Sequence, residues 1–257
     1  MKTWIIIIGN EILVGRILDT NSHWLSKRLT DLGYSVERIV VVPDREKDII
    51  EVFNEACNKS DIIISCGGLG PTYDDITSMI LAKLLRRKWV INQDALEIVR
   101  KRLERFNLDL NEYRVKMAKM PEGAIPLENR IGVAPGIFIE CNGKMIFALP
   151  GVPEEMKYIY ENHVEKILIE RFGRKYYVEK KITIEGYPES TIAPILDRLA
   201  REYPDSYIKS HPRGVRNNKP IVDIVVAIWR ESRKEAEDVA QSILKRLEKE
   251  IVKINKI

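Results

Sequence analysis

The first two-thirds of the chain alternates short apolar runs with segments in which apolar side chains recur at helical spacing. Nearly continuous apolar runs are typical of strands buried on both faces of a sheet. The predicted strands are residues 4–8, 36–42 and 61–65. Helices are predicted at 20–32 and at about 75–85. Another helix is predicted between them, after Asp44, which can cap it. This order predicts a parallel sheet that is covered by helices on both faces.

An antiparallel hairpin is predicted further along the chain. Residues 136–141 and 144–149 are apolar runs joined by Asn142 and Gly143, a dipeptide favoured in two-residue hairpin turns. Helical patterns lie on either side of the hairpin, at 92–106, 113–120 and 153–173. The hairpin therefore extends the parallel sheet with antiparallel strands.

The last third of the chain has a different order of elements. Strand patterns at 176–185, 206–211 and 221–229 combine with helical patterns at 191–203 and 232–251. A basic loop at 211–220 is expected between the last two strands. We therefore predict two domains. Residues 1–173 form a three-layer α/β domain with a mostly parallel sheet and an antiparallel hairpin, and residues 174–257 form a small α+β domain.

Composition is typical of a globular protein. The 257 residues are 45% hydrophobic and carry a formal net charge of +4. The apolar runs are far shorter than the roughly 20 residues that a membrane span needs, so no membrane partner is expected. Cys57, Cys66 and Cys141 lack metal-ligand spacing, which favours a reduced, cytoplasmic setting.

A glycine-rich run after the third predicted strand carries the strongest chemical signal. It contains Gly67, Gly68 and Gly70, followed by Thr72 and the adjacent aspartates Asp74 and Asp75. Glycines after a strand let backbone N–H groups converge on a phosphate, and the following helix N-terminus adds positive potential. Asp74 and Asp75 would repel a phosphate unless a divalent cation bridged them. The alternative is an ordinary turn followed by acidic residues that favour the helix dipole.

Two further loops leave predicted strands in the same direction. They contain Gly9, Asn10 and Glu11, and Pro150 and Gly151 followed by Glu154 and Glu155. Loops after parallel strands meet at the carboxyl edge of the sheet, where open α/β folds bind ligands. Glu11, Asp19, Glu154 and Glu155 can supply carboxylates around a metal there, and Asn21, Thr72 and Lys157 can add polar contacts. Helix capping is the alternative for Asp19 and Asn21, and dipole complementarity is the alternative for the two glutamates.

Residues 9–173 closely resemble the molybdopterin-binding-like domain of the CinA family, which is related to the cofactor proteins MoaB and MogA. The matching segments are 9–15, 19–21, 67–77, 121–124, 129–136 and 149–157. The resemblance implies a MogA/MoaB-like fold, followed by a tail similar to a KH segment. The sequence contains no counterpart of the family's nicotinamide-nucleotide amidase domain, so deamidase activity is not expected.

The resemblance implies a metal-dependent pyrophosphatase that acts on ADP-ribose, FAD or a similar nucleotide. In this hypothesis Asp74, Asp75 and Glu155 hold Mg²⁺, Mn²⁺ or Co²⁺, whose bound water becomes the nucleophile. Asp74, Asp75 and Lys157 are then the predicted catalytic residues. The expected substrate-binding residues are Gly9, Asn10, Glu11, Asn21, Gly67, Gly68, Gly70, Thr72, Asn129, Pro150 and Gly151.

Other functions remain open at this point. The same loops suit a protein that binds a pterin phosphate or a nucleotide in molybdenum cofactor metabolism without hydrolysing it. Nucleic-acid binding by the tail is not expected despite Arg213, Arg216 and Lys219, because the Gly-X-X-Gly loop of KH domains is missing from residues 174–257. The resemblance also implies a homodimer or a higher homo-oligomer.

Overall fold

The computed structural model describes residues 1–254, which form two compact units. The larger unit contains Met1–Thr30 and Tyr34–Gly173, and the smaller contains Asp31–Gly33 and the chain from Arg174 onward. The predicted second domain extends to residue 257, and its last three residues lie outside the described residues.

The larger unit contains a central sheet and surrounding helices. Its strands are Lys2–Ile8 (β1), Ser35–Val42 (β2), Ile62–Cys66 (β3), Trp89–Ile91 (β4), Lys119–Pro121 (β5), Ile125–Leu127 (β6), Gly136–Cys141 (β7) and Lys144–Leu149 (β8). The helices that begin in it are Asn10–Leu13 (α1), Asn21–Asp31 (α2), Glu46–Lys59 (α3), Thr77–Leu84 (α4), Gln93–Arg105 (α5), Glu112–Lys116 (α6), Pro153–Ile159 (α7) and Glu165–Phe172 (α8). A π-helical segment, Tyr160–Val164, joins α7 to α8.

The main sheet has the strand order β2-β1-β3-β8-β7-β6. Strands β2, β1, β3 and β8 are parallel, whereas β7 is antiparallel to β8 and β6 is antiparallel to β7. All five residues of β3 are buried, as expected of a strand covered on both faces. The predicted α/β class with an antiparallel hairpin is confirmed, and Asn142 and Gly143 make the turn with φ of 51° and 74°.

Two predicted helix starts were wrong, for local reasons. Helix α4 begins at Thr77 rather than near Asp75, because the Asp75 carboxylate accepts a hydrogen bond from the backbone N–H of Thr72 and closes a separate turn. Asp44 does not cap α3. Arg45 is the capping residue, and Asp44 Oδ2 accepts a hydrogen bond of 2.8 Å from the backbone N–H of Asn10.

The smaller unit is a three-stranded antiparallel sheet with two helices. Its elements are Tyr176–Glu185 (β9), Glu189–Glu202 (α9), Ser206–Arg216 (β10), Lys219–Arg230 (β11) and Arg233–Ile254 (α10), and the strand order is β10-β11-β9. Alternate residues of β11, such as Ile224 and Val226, are buried in a core with apolar side chains of α9 and α10. The likeness of this unit to a KH segment stays a prediction.

The prediction of a basic loop at 211–220 was wrong. The segment is a continuous hairpin, in which β10 runs to Arg216 and β11 starts at Lys219. Asn217 and Asn218 form the turn with positive φ of 49° and 60°, the backbone conformation that a type I′ turn requires.

None of the helices in the described part of the chain combines the length and the apolar character needed to cross a membrane.

Candidate functional site

A cleft of about 970 Å³ opens where β1, β3 and β8 end. The structure brings most of the predicted site residues to its wall. The predicted residues that line it are Gly9, Glu11, Asn21, Gly67, Gly68, Gly70, Thr72, Asp74, Asp75, Pro150, Gly151 and Glu155. Since β1, β3 and β8 are parallel neighbours, the three loops meet at one edge of the sheet.

Three predicted site residues do not line the cleft. Asn10 is exposed, and its backbone N–H donates a hydrogen bond to the carboxylate of Asp44. Lys157 pairs with Glu154 over 2.7 Å on the surface of α7. Asn129 is fully buried beneath the wall.

The glycine loop after β3 has a backbone that side chains would disrupt. Gly67 and Gly68 have φ of 110° and 71°, in the left-handed region that favours glycine. A Cβ on Gly67 would lie 2.2 Å from the carbonyl oxygen of Ile8, and one on Gly68 would lie 2.2 Å from Thr77 Oγ1. The loop therefore passes against β1 and α4 at distances that only glycine allows.

Anchoring of this loop leaves several amides available. The N–H of Gly67 donates to the carbonyl of Leu149 over 2.9 Å, so it is already used within the sheet. Thr77 holds the loop from the other side through its N–H and its hydroxyl, which donate to the carbonyls of Gly68 and Gly67. Among residues 1–254, none accepts a hydrogen bond from the N–H groups at 68–70, so these amides are the ones free to bind a ligand oxygen.

An acidic turn follows the glycine loop. The hydroxyl of Thr72 contacts Asp74 Oδ1 and lies 2.5 Å from Asp75 Oδ2. Lys116 Nζ donates to the carbonyl of Thr72, and burial lowers the pKa of Lys116 although Asp75 and Asp74 oppose that shift. The turn thus holds the carboxylates of Asp74 and Asp75 side by side, and the ammonium group of Lys116 binds the backbone of the same turn.

Another carboxylate on the cleft wall, Asp44, was missed by the sequence analysis. Burial raises the pKa of Asp44, the hydrogen bond from the N–H of Asn10 lowers it, and the charges of Glu11 and Asp74 raise it further. Asp44 follows β2 just as the predicted residues follow β1 and β3. Its position after a strand was the available signal, but its apparent role as a helix cap obscured it.

The predicted metal ligands do not come together as a set of three. No three His, Cys, Asp or Glu side chains within residues 1–254 are grouped so that they can hold a metal ion. Asp74 and Asp75 share the turn at Thr72, and Glu155 is held separately by Asn129.

Asn129 fixes the position of Glu155. Its Nδ2 donates to Glu155 Oε2 over 2.6 Å and to the carbonyl of Ala134 over 2.9 Å. Its Oδ1 accepts from the backbone N–H groups of Ile131 and Gly132, each over 3.0 Å. All four hydrogen-bonding positions of the amide are therefore used, and Asn129 supports the cleft wall rather than contacting a ligand.

Arg102 supports the same wall from α5. It is 7% exposed, and its guanidinium donates to the carbonyls of Gly132 and Ile131 over 2.8 and 2.7 Å. The guanidinium also lies 5.1 Å from the ring centroid of Phe106. Burial raises the pKa of Glu155, while the hydrogen bond from Asn129 and the charge of Arg102 oppose the shift.

Part of the cleft lining is apolar. It includes the side chains of Leu103, Phe106, Leu108, Met117, Ile131 and Val133. Ile131 and Val133 belong to the segment at 129–136 that carried the family resemblance, whereas the other four residues carried no chemical signal in the sequence. An apolar wall beside hydrogen-bonding groups is typical of sites for small heterocyclic ligands.

Asn21 has an unsatisfied buried oxygen in the cleft wall. Its Nδ2 donates to the carbonyl of Gly151 over 2.8 Å, and its Oδ1 has no hydrogen-bond partner among the described residues. Asp19, in contrast, caps α2 by accepting from the N–H of Ser22 over 3.0 Å. Asn21 thus anchors the loop at Gly151 and keeps a buried acceptor beneath the wall, whereas Asp19 serves the helix.

Comparison with known proteins identifies the larger unit. The family described as "Probable molybdopterin binding domain" matches residues 4–170. A protein from Pyrobaculum aerophilum is 47% identical over 244 residues, which cover 95% of this chain and 92% of that protein. A protein from Sulfurisphaera tokodaii is 45% identical over 258 residues, with coverage of 99% and 97%.

A solved structure is also similar to this chain. The crystal structure of the protein CinA, of unknown function, from Thermoplasma acidophilum is 39% identical in sequence with a TM-score of 0.61. The match covers 65% of this chain and 99% of that chain.

The prediction that the protein hydrolyses ADP-ribose or FAD was wrong. The matching family is described by molybdopterin binding and the CinA structure by unknown function, so neither supports a nucleotide pyrophosphatase. The chain belongs to the family of probable molybdopterin binding domains and is a CinA-like member of it.

Proposed function

We propose that the cleft binds molybdopterin or a similar pterin phosphate, and that the protein serves molybdenum cofactor metabolism by holding this ligand without hydrolysing it. The observation that carries the proposal is the junction of a glycine loop with free amides and an apolar wall in one cleft. The family description supports the pterin as the ligand.

The phosphate binds at the glycine loop. The N–H groups of Gly68, Leu69 and Gly70 are the available donors, since that of Gly67 is bound to Leu149. Backbone donors of this kind form anion-binding concavities without a charged side chain. The pterin ring then lies along the apolar wall that includes Phe106 and Ile131.

A divalent cation accompanies the phosphate. The cleft wall carries six carboxylates, those of Glu11, Asp19, Asp44, Asp74, Asp75 and Glu155, and their combined charge opposes an anionic ligand. Mg²⁺ needs only one or two protein carboxylates together with phosphate oxygens and water. Asp74 and Asp75 fit this requirement, because each has one oxygen that is not engaged by Thr72. The cation would neutralise the phosphate charge at this end of the cleft.

We also propose that the protein forms a homo-oligomer through the segment that follows β1. Apolar side chains on the segment after β1 are strongly exposed, with Val14 at 71% and Leu18 at 81%. Contiguous exposed apolar side chains mark interaction surfaces. Light scattering coupled to size exclusion tests this part, and a monomer at all concentrations would contradict it.

The binding proposal is tested by fluorescence titration with a pterin monophosphate, with and without Mg²⁺. We expect saturable binding that is tighter with Mg²⁺ and is weakened by competing inorganic phosphate. Chromatography should recover the ligand intact. Absence of binding under all conditions would overturn the proposal, and release of phosphate would overturn the claim that the ligand is only held.

A further inference from the structure

Glu155 faces the cleft in a way that suits neither a metal ion nor a phosphate. It is not grouped with Asp74 and Asp75 as a metal ligand among the described residues. A carboxylate also repels phosphate, and it has no positive partner in direct contact, since Arg102 donates to two backbone carbonyls instead. The remaining partner for such a group is a neutral hydrogen-bond donor.

The carboxylate of Glu155 is rigidly held. It lies flat against Gly132, where a Cβ would come within 2.0 Å of Oε2 and 2.4 Å of Oε1. Asn129 occupies Oε2 with a 2.6 Å hydrogen bond. Within residues 1–254 no side chain or backbone group donates to Oε1, so this oxygen is available to a ligand.

We propose that the Glu155 carboxylate recognises the edge of a 2-amino-4-oxo pyrimidine ring, the ring system shared by pterins and guanine. This inference rests on the proposed function and assigns a ring-specificity residue of the cleft. The ring carries an N–H group beside an exocyclic amine, so it offers adjacent donors to a carboxylate, which cannot donate. Ile131 and Val133, the apolar neighbours of Gly132 in sequence, also line the cleft and would cover the face of the ring.

The same chemistry rejects related rings. Adenine has an amine flanked by ring nitrogens that accept, so it would place acceptors against the carboxylate. A lumazine keeps the ring N–H but has a carbonyl in place of the 2-amino group, so it would place one acceptor against the carboxylate. A ring that lacks a matched donor and leaves a buried acceptor unpaired typically binds one to several orders of magnitude more weakly.

The test compares a pterin phosphate with the corresponding lumazine phosphate by fluorescence titration of the full chain. We expect the wild type to prefer the pterin by roughly 10- to 100-fold. E155Q should remove most of this preference, whereas E154Q should keep it, because Glu154 is exposed and paired with Lys157 outside the cleft.

Each outcome bears on a separate claim. Equal affinity of the wild type for the two rings overturns this inference and leaves the proposed function intact. Binding of neither ring overturns both. Since the wild-type comparison needs no variant, it decides the inference even where E155Q fails to fold, and an unchanged preference in a folded E155Q would also overturn it.

Discussion

Asn129 Nδ2 donates to Glu155 Oε2 over 2.6 Å, and this contact joins the segment at 129–134 to the first turn of α7. Both residues come from predicted motifs, but their roles differ. Glu155 lines the cleft, and Asn129 positions it from beneath the wall.

The first prediction concerns this contact. N129D replaces a donor by a carboxylate facing Glu155, so the unfolding free energy should fall by about 1–3 kcal/mol at neutral pH. The loss should shrink in mild acid, where one of the two carboxyls is protonated. Urea unfolding at several pH values measures it.

A matched double variant checks the cause. N129D/E155Q restores a donor and an acceptor in reversed order, so part of the stability should return. The bond from Asn129 to the carbonyl of Ala134 stays lost. No recovery in the double variant would mean that the contact is not responsible.

The second prediction concerns the glycine loop. G67A should lower the unfolding free energy more than G143A. Both residues have positive φ, which costs a side chain of order 1–3 kcal/mol, but only Gly67 has a backbone oxygen 2.2 Å from the position of an added Cβ. Urea unfolding followed by circular dichroism gives the difference. Equal losses would show that the approach to β1 is unimportant.

The third prediction concerns the acidic turn. If Asp74 and Asp75 hold a divalent cation, D74N and D75N should each weaken the Mg²⁺-dependent binding of a pterin phosphate by about 10- to 100-fold, as expected for a charged contact. Chelation of Mg²⁺ by EDTA should weaken the wild type similarly. D94N, an exposed carboxylate on α5 away from the cleft wall, is the control. Variants that respond to Mg²⁺ like the wild type would rule out this cation site.

The fourth prediction concerns pH. Burial is the main reason that the pKa of Glu155 lies above its ordinary value, although Asn129 and Arg102 oppose the shift. As pH falls, Glu155 therefore becomes neutral at a higher pH than an ordinary glutamate, whose pKa is about 4.3. The preference for pterin over lumazine should decline in that range, and E155Q should show a flat profile. A wild-type preference that persists well below pH 4 would contradict the role given to the carboxylate.

The fifth prediction concerns the smaller unit. Asp223 is 4% exposed and accepts hydrogen bonds from Arg213, Thr183 and Lys181 over 2.7, 2.7 and 3.2 Å. These contacts, led by Arg213, hold the pKa of Asp223 well below its usual range.

The sign of the effect follows from that shift. A depressed pKa contributes stability that is present above the unfolded pKa of about 3.9 and is lost as pH falls below it. D223N should therefore destabilise the smaller unit at neutral pH and reduce its sensitivity to acid, whereas D205N, at an exposed site, should not. The rate of proteolysis within the segment from residue 174 onward measures the stability of both variants. Equal cleavage of D223N and the wild type would contradict the prediction.

The core of the fold was predictable because its signals are local. The strands β1 and β3 are apolar runs that are buried along nearly their whole length, and Asn142 and Gly143 specify a two-residue turn. Shorter strands such as β4 and β5, of three residues each, are too brief to show a periodicity. The extended hairpin at Asn217 and Asn218 was missed because polar residues before and after it resemble a loop.

The cleft was predictable in outline and not in its details. Loops after parallel strands meet at one edge, so the glycines and the carboxylates could be grouped from their order along the chain. Which side chain faces the ligand depends on tertiary contacts. Asn129 is buried by its four hydrogen bonds, Lys157 is drawn to Glu154, and Lys116 reaches Thr72 from a helix more than forty residues away.

Hydrogen–deuterium exchange of the wild type, with and without a pterin monophosphate in the presence of Mg²⁺, tests the central claim most directly. We expect the ligand to slow exchange of the amides at 68–70, which have no acceptor within the described chain, and of the segment at 131–134 beside Glu155. Saturating ligand that leaves both segments unprotected would contradict the placement of the phosphate and the ring in this cleft.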